Sequence, residues 1–271
     1  MIADPSQQMA AIILAAGKGT RMKSALPKVL HEIGGKALLQ WVIDSLKQTG
    51  VAQTCVVLGG DLESFKIFLD ANPSLSACQQ LAREGTADAI ASCVDFVNPK
   101  CVPAYARGQM LRGPRLSDDV RYLLLCMGDT PAINPQTLAR FCEESLRQRS
   151  DLSVLAMKHP SPKGYGRILV DEDGRPTRIV EEKNASDEER NIDRVNTGIF
   201  FAEKDTLFSC LAEVQRNEVS GEFYLTDCLE IARRRGLKTA CVVAEDYREF
   251  DGINDQEQFA EMSQRLLKSK S

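Results

Sequence analysis

The chain has 271 residues, 43% of them hydrophobic and 27% charged, with 34 Lys and Arg against 38 Asp and Glu and only two histidines. Such a length and balance suit one large α/β unit or two modest ones and exclude a disordered or collagen-like chain. The formal net charge of -4 argues against a nucleic-acid binder that works through overall positive charge, and it leaves anionic small molecules open.

Short β-rich apolar runs alternate with longer amphipathic stretches, the pattern of βα units feeding a mainly parallel sheet with helices on both faces. The first run, Ala11 to Ala15, is continuous rather than alternating, as in a strand buried on both sides. After a long loop, Leu38/Leu39, Val42/Ile43 and Leu46 recur at helical spacing up to Gly50. A strand at 54–58, a helix at 62–71, a short strand at 76–81 and a helix at 87–97 follow. Between Asn98 and Arg121, Pro99, Pro103, Pro114, Gly108 and Gly113 predict an irregular surface excursion. The strand Tyr122 to Met127 then runs into Gly128 and Asp129.

A strand at 152–157 opens the second half. Ile168–Val170 and Thr177–Val180 flank Asp171-Glu172-Asp173-Gly174, which predicts an antiparallel β-hairpin. A strand at 195–202, helices at 205–215 and 222–235, a strand at 239–244 and a helix at 255–267 complete the chain before the polar tail 268–271.

Nine cysteines are scattered without a CxxC pair or zinc-like spacing. Several, such as Cys126 in YLLLCM, sit among apolar residues where a free thiol acts as a small hydrophobe. All are read as structural thiols of a reducing compartment. No apolar stretch nears the roughly 20 residues that cross a bilayer, and MIADPSQQMAA carries an acid and a proline instead of a basic leader. A cytoplasmic protein without membrane or nucleic-acid partners is expected.

The loop after the first strand, Gly17 to Lys28, holds Lys18, Arg21, Lys23 and Lys28 and no acid, within a chain that is acidic overall. Glycines let backbone N–H groups approach an anion, and Lys and Arg supply charge for phosphate oxygens. GxGxxG fails at Met22, and the Walker pattern finds no match at Gly17. A phosphate site of another kind, or a solvated basic turn, remains.

LAAGKGTRMKSALPKVLHEIGGKALLQWVIDSL, Leu14 to Leu46, resembles the signature of the sugar-1-phosphate nucleotidyltransferases, and most of all the uridylyltransferase domain of the bacterial bifunctional N-acetylglucosamine-1-phosphate uridyltransferases. The resemblance runs from about Ala10 to Phe259 through Gln80, Gly85-Thr86, Met127-Gly128-Asp129-Thr130-Pro131, Tyr165-Gly166-Arg167-Ile168, Ile179 to Lys183, Asn196-Thr197-Gly198, Gly221 to Asp227 and Asp251 to Asn254. It implies a nucleotide-diphospho-sugar transferase fold, with residues 1–9 as an extension and 10–271 as one domain. Within that domain it implies a nucleotide half at about 10–150, a sugar half at about 151–250 and a closing helix at about 254–269. The hexapeptide-repeat β-helix that carries acetyltransfer in the bifunctional relatives is not expected within 271 residues.

The activity so implied joins UTP and N-acetylglucosamine 1-phosphate to give pyrophosphate and UDP-N-acetylglucosamine, a precursor of peptidoglycan and lipopolysaccharide, with Mg2+ as cofactor. A sugar phosphate is already an oxygen nucleophile, so the protein's task is alignment and charge neutralisation, and a chain without a triad or catalytic histidine suffices. His31 and His159 are read as packing or surface residues. The resemblance assigns Arg21, Lys28 and Asp129 to catalysis. Leu14, Ala15, Ala16, Gly17, Gln80, Gly85, Met127 and Gly128 fall to the nucleotide, and Thr86, Gly166, Glu181 and Asn196 to the sugar. It gives Asp129 and Asn254 to the metal, and Mg2+ prefers such oxygen ligands.

Taken alone, Lys28 is a loop lysine, Gln80 a polar strand-end residue and Glu181 part of a solvated hairpin edge. Asn254, with Glu257 three residues on, equally fits a helix cap. Asn134-Pro135 caps the helix after Asp129 and leaves that carboxylate without a capping duty. One departure is local: GTGHA in the family is Gly85-Thr86-Ala87-Asp88-Ala89 here. It bears on which base or sugar is taken, and the alternatives are another nucleotide–sugar pair or a non-catalytic binding module.

Overall fold

A computed structural model describes residues 8–268, so most of the expected N-terminal extension and of the polar tail lies outside the described residues. The centre is a parallel block: β1 (Met9–Ala15) pairs in parallel with β4 (Gln53–Leu58) on one side and β7 (Tyr122–Met127) on the other, and β4 pairs in parallel with β5 (Ser76–Gln80). Every residue of β1 is buried, as its unbroken apolar run predicts. Alternate side chains enter two cores. Ala10, Ile12 and Leu14 face one, and Met9, Ala11, Ile13 and Ala15 the other.

Helices cover both faces. On the first lie α3 (Thr86–Ala91), α4 (Val94–Val97), α7 (Lys204–Leu211) and α8 (Asp227–Arg234), which contribute Ile90, Phe96, Phe208 and Leu229. On the second lie α1 (Leu38–Lys47), α2 (Lys66–Ala71) and α5 (Pro135–Arg147). The buried residues Leu38, Leu39, Val42, Ile43 and Leu46 give α1 its single apolar stripe. α5 starts as expected, with Pro135 in its first turn and the Asn134 side chain accepting from Gln136 N at 3.0 Å, a cap worth about 1 kcal/mol.

The second half is mainly antiparallel. β11 (Arg194–Glu203) runs antiparallel to β7, to β8 (Leu152–Lys158) and to β9 (Arg167–Val170). β9 forms the expected hairpin with β10 (Pro176–Val180), and β12 (Thr239–Val243) returns parallel to β8. α9 (Gln256–Lys268) packs Met262 and Leu266 against Met22, Ile33, Leu38 and Ile253. Gln256 Nε2 donates to Met22 O at 2.8 Å, so this last helix pins the basic loop near the other end of the chain.

Several local expectations need correction: the helix expected at 205–215, for one, ends at Leu211. The stretch 98–121 contains a strand, β6 (Gly108–Arg112), antiparallel to β5 at the sheet edge. Gly108 reads as a breaker, but a Cβ there would stand 2.4 Å from Ser92 Cα, so glycine is what lets this edge strand pass close to the end of α3. The helix expected at 87–97 is broken at Ser92-Cys93 into α3 and α4. The helix expected at 222–235 begins only at Asp227, because Phe223 and Leu225 bond to the segment 84–87 instead. Two small elements were not foreseen: the hairpin β2 (Glu32–Ile33) with β3 (Lys36–Ala37), and α6 (Asp187–Arg190), which starts on a capping box of Ser186 and Glu189.

All nine cysteines are free thiols; seven are buried, and Cys101 and Cys241 are partly exposed. The sulfurs of Cys55, Cys78 and Cys93 lie within 4.8 Å of one another, with Cys55 and Cys78 3.6 Å apart. Their positions in sequence give no sign of this convergence. They sit in the core with Ile12, Val57 and Ile90, where small apolar side chains pack.

Candidate active site

The C-terminal ends of β1, β5 and β7 open on one side of the sheet, and a cleft forms there. This is where an open parallel sheet leaves backbone groups free beyond its strand ends. One part, about 620 Å3, is lined by Leu14 to Arg21, Lys28, Gln80, Arg83, Gly85, Thr86, Met127, Asp129 and Asn254. An adjoining part, about 360 Å3, is lined by Lys163 to Gly166, Asn196 to Gly198, Thr226 and Gly252. Leu14, Arg21, Thr86, Met127, Asp129, Glu181 and Asn254 border both parts, so the two form one continuous cleft.

At their junction Lys28 Nζ is hydrogen-bonded to Asp129 Oδ2 and lies 3.1 Å from Asn254 Oδ1. Three segments distant in sequence meet here. Asp129 leaves β7 at the strand end, where its backbone carbonyl accepts from Ile253 N at 3.0 Å and ties the strand to the segment before α9. Lys28 begins a short 3-10 turn after Pro27, with Val29 and Leu30 buried behind it. Asn254 is free of helix-capping duty: Asp255 Oδ1 accepts from Gln258 N at 2.9 Å, while Asn254 Nδ2 reaches Gly252 O at 3.3 Å. The ambiguity at residue 254 thus resolves away from the cap.

Two hard oxygen donors, one anionic, already converge on a single cation, the lysine ammonium. That donor set suits Mg2+, which takes one or two protein oxygens and keeps its other positions for water and phosphate. Arg21 is exposed on the glycine loop and faces both parts of the cleft. Lys18 also lines the cleft.

Some backbone groups that the resemblance gives to a nucleotide are already engaged. Leu14 O accepts from Gly128 N at 2.9 Å, which fixes Gly128 against β1. Ala16 O accepts from Arg83 Nη2 at 2.6 Å and from Nε at 3.2 Å. Arg83, in the left-handed region at φ 55°, is a further cleft cation, outside the residues that the resemblance assigns. Its only signal was a positive charge between Gln80 and Gly85. Ala15, Gly17 and Met127 line the cleft as expected.

Gly85 lies at φ 114°, and a Cβ there would come within 2.4 Å of Phe223 O, a space only glycine leaves. The segment 84–87 is bonded to 223–225 through Phe223 N to Glu84 O, Ala87 N to Phe223 O and Leu225 N to Thr86 Oγ1, at 2.7, 2.9 and 3.0 Å. Thr86 therefore spends its hydroxyl oxygen on the wall of the cleft.

The sugar-side residues form a second cluster. Asn196 N donates to Gly166 O at 2.8 Å, and Asn196 Oδ1 accepts from Gly198 N at 3.0 Å. Glu181 is not on a solvated edge: Thr226 Oγ1 donates to its Oε1 at 2.9 Å, and burial pushes its carboxyl pKa above the ordinary value. Beneath it Arg167, 1% exposed, pairs with Glu182 at 2.6 Å and anchors the start of β9. Tyr165, Lys163, Tyr224, Glu222, Thr197 and Gly252 also line the cleft and were absent from the sequence-based set. The histidines pack as expected. His31 meets the Phe259 ring, and His159 lies against Tyr165 and Tyr247.

A mixed sheet with a parallel block, an antiparallel second half and a glycine-rich cationic loop over the strand ends is the nucleotide-diphospho-sugar transferase fold. It is shared with a solved UDP-glucose pyrophosphorylase complexed with UDP-glucose (TM-score 0.70, 17% identity, 96% of this chain and 99% of that one). It is shared also with an apo UDP-glucose pyrophosphorylase (TM-score 0.72, 16% identity, 97% and 99%). Residues 11–178 match the MobA-like NTP transferase domain, and the chain belongs to that family. It is 34% identical over 245 residues to the bifunctional protein GlmU of Lactococcus lactis subsp. cremoris strain SK11 (90% of this chain, 49% of that protein). It is 38% identical over 261 residues to GlmU of Trichlorobacter lovleyi (96% and 52%). The chain thus spans about half the length of these curated relatives.

Proposed function

We propose that the chain transfers a uridylyl group from UTP to N-acetylglucosamine 1-phosphate, giving UDP-N-acetylglucosamine and pyrophosphate. The observation that carries this reading is the convergence of Lys28, Asp129 and Asn254 at the junction of the two parts of the cleft. A phosphoryl group under attack has to sit where nucleotide and acceptor meet, and positive charge must be concentrated there.

A phosphate oxygen of the sugar phosphate forms a new bond to the α-phosphorus of UTP. The bond from that phosphorus to the bridging oxygen breaks, and its electron pair leaves with pyrophosphate. No proton has to be moved by the protein, which fits a site without a histidine. Arg21 and Lys28 neutralise the triphosphate and the leaving pyrophosphate. Asp129 and Asn254 would hold Mg2+, which when bound supplies charge neutralisation to the phosphate oxygens. Gln80 and Gly85 flank the base, and Gly166, Glu181, Asn196 and Thr86 orient the sugar. The half-buried Glu181, held by Thr226, is suited to accept hydrogen bonds from sugar hydroxyls.

The sequence similarity to proteins named GlmU supports the N-acetylglucosamine substrate, and the folds of the UDP-glucose pyrophosphorylases support a nucleoside diphosphate sugar as product. Among the described residues no helix is long and apolar enough to cross a membrane, in keeping with soluble substrates met in the cytoplasm. The test is pyrophosphate release measured over a matrix of nucleoside triphosphates and sugar 1-phosphates with Mg2+. Turnover is expected to be highest for UTP with N-acetylglucosamine 1-phosphate; a preference for another pair would reassign the substrates, and no turnover with any pair would sink the proposal in favour of a binding module.

A further inference from the structure

Cys55 of β4, Cys78 of β5 and Cys93 at the junction of α3 and α4 come from separate elements, and all three are fully buried. Their sulfurs lie within 4.8 Å of one another, with those of Cys55 and Cys78 3.6 Å apart. Among the described residues this is the one group of three or more His, Cys, Asp or Glu side chains whose donor atoms converge so closely. Packing asks of a cysteine that it fill space, which does not require three sulfurs to meet.

Two familiar uses of neighbouring cysteines fit poorly. In the β4–β5 register Cys55 stands opposite Ser76 and Cys78 opposite Val57, so the two are diagonal neighbours, two positions out of register. A rise of about 3.3 Å per residue and a strand spacing of about 4.8 Å put their Cα atoms about 8 Å apart, beyond the roughly 7 Å that a disulfide spans. A structural zinc site takes four ligands, and here three converge. Three thiolates around a divalent ion would also leave net negative charge in the core beside Ile12, Val57 and Ile90, and the charged side chain that acts on Cys78, Asp95, is itself an acid.

We infer that Cys55, Cys78 and Cys93 form a three-sulfur site for a trivalent thiophilic centre, of which arsenic(III) is the type. Three thiolates neutralise such a centre, so the adduct brings no charge into the core, and the arsenic lone pair takes the position where zinc would need a fourth ligand. Arsenous acid, As(OH)3, exchanges its three As–O bonds for three As–S bonds. Each thiol proton leaves with a hydroxide as water, three waters in all, and nothing is oxidised or reduced. Sulfur bonds of about 2.3 Å, as zinc makes, set three bound sulfurs no more than about 4 Å apart, so a spacing of up to 4.8 Å closes through shifts of under about 1 Å.

The test uses the full chain and sodium arsenite in stoichiometric amount, without competing thiol. Arsenite is added to the native protein and, separately, during dilution from urea, so that access to the core does not limit the result. Wild type is expected to carry one arsenic per chain by native mass spectrometry after gel filtration, with three sulfur and no oxygen neighbours by X-ray absorption, and to melt at a higher temperature than the free chain. Cys55→Ala, Cys78→Ala and Cys93→Ala should each lose the arsenic and the gain in Tm, whereas Cys126→Ala, on β7 and outside the cluster, keeps both. Arsenic retained undiminished in the three variants, bound with an oxygen neighbour, or not held by folded wild type through either route would overturn the inference. Should a variant not fold, the coordination in wild type decides by itself, because no other three thiols converge among the described residues.

Discussion

Lys28 and Asp129 are separated by 101 positions in sequence, and in the fold the ammonium of one donates directly to the carboxylate of the other. Their side chains are only 11% and 15% exposed, so the pair is held largely out of water, with Asn254 as a third member. The same two oxygens are the ones proposed to hold Mg2+.

Two cations cannot occupy one pair of oxygens, so Lys28 and the metal compete until a triphosphate draws the lysine away. Lys28→Met is expected to bind Mn2+ several-fold more tightly than wild type when no nucleotide is present, as read by electron paramagnetic resonance, while losing turnover. Asp129→Asn should weaken Mn2+ binding and lower kcat by about 100- to 1,000-fold. Unchanged metal affinity in both variants would place the metal elsewhere.

Two glycines of the cleft predict opposite outcomes for the same substitution. A Cβ on Gly17 meets nothing within 4 Å, so Gly17→Ala should melt within a degree or two of wild type and lose nucleotide affinity only, its methyl pointing into open cleft. Gly85→Ala must force Phe223 O away from a 2.4 Å contact at φ 114°. It is expected to cost about 2–4 kcal/mol, visible as a drop of several degrees in Tm.

Asp227 begins α8 near Glu181 and Glu230. Burial first, then the charges of those two carboxylates, pushes its pKa up to about 6 from an ordinary 3.8. The native state therefore holds this proton more tightly than the unfolded chain does. The cost of the charged form is absent below pH 3.8, grows between 3.8 and about 6, and is full above that. Asp227→Asn should stabilise the fold at pH 7.5 by about 1–2 kcal/mol, after discounting for partial solvent exposure, and give no gain at pH 3.5. Denaturant titrations at the two pH values check this, and an equal gain at both would mean that charge is not the cause.

The buried thiols predict a labelling pattern. In the folded protein a thiol reagent such as dithionitrobenzoate should react quickly only with the partly exposed Cys101 and Cys241, and in denaturant with all nine cysteines. Fast native labelling of Cys55, Cys78 or Cys93 would show that the sheet face beneath α3 opens far more easily than its packing implies.

What the sequence made legible was what local chemistry decides. The apolar run at Ala11–Ala15 could only be a doubly buried strand, and the run ending at Met127 had to deliver Asp129 to the strand end. Asn254 could not be decided locally, because ligand and cap use the same residue type; the answer came from Asp255 one position on. Gln80 and Glu181 look bland in one dimension because the groups that hold them, Asp88 for the first and Thr226 for the second, reach them only through the fold. β6 is hidden in the sequence for the opposite reason: Gly108 and Gly113, residue types that ordinarily break a strand, here permit close approaches to Ser92 and Ser76.

β11 is hydrogen-bonded to β7 of the parallel block and to β8 and β9 of the antiparallel half. No linker separates the two sides of the cleft, and a rigid-body swing of one against the other would have to tear this ladder. Closure around substrates is therefore a matter of side chains and of the exposed stretch 17–21 ahead of the pinned Met22, while the sheet stays fixed. The amides of β11 should accordingly be among the last to exchange with solvent, and the transition between open and closed cleft should leave them untouched.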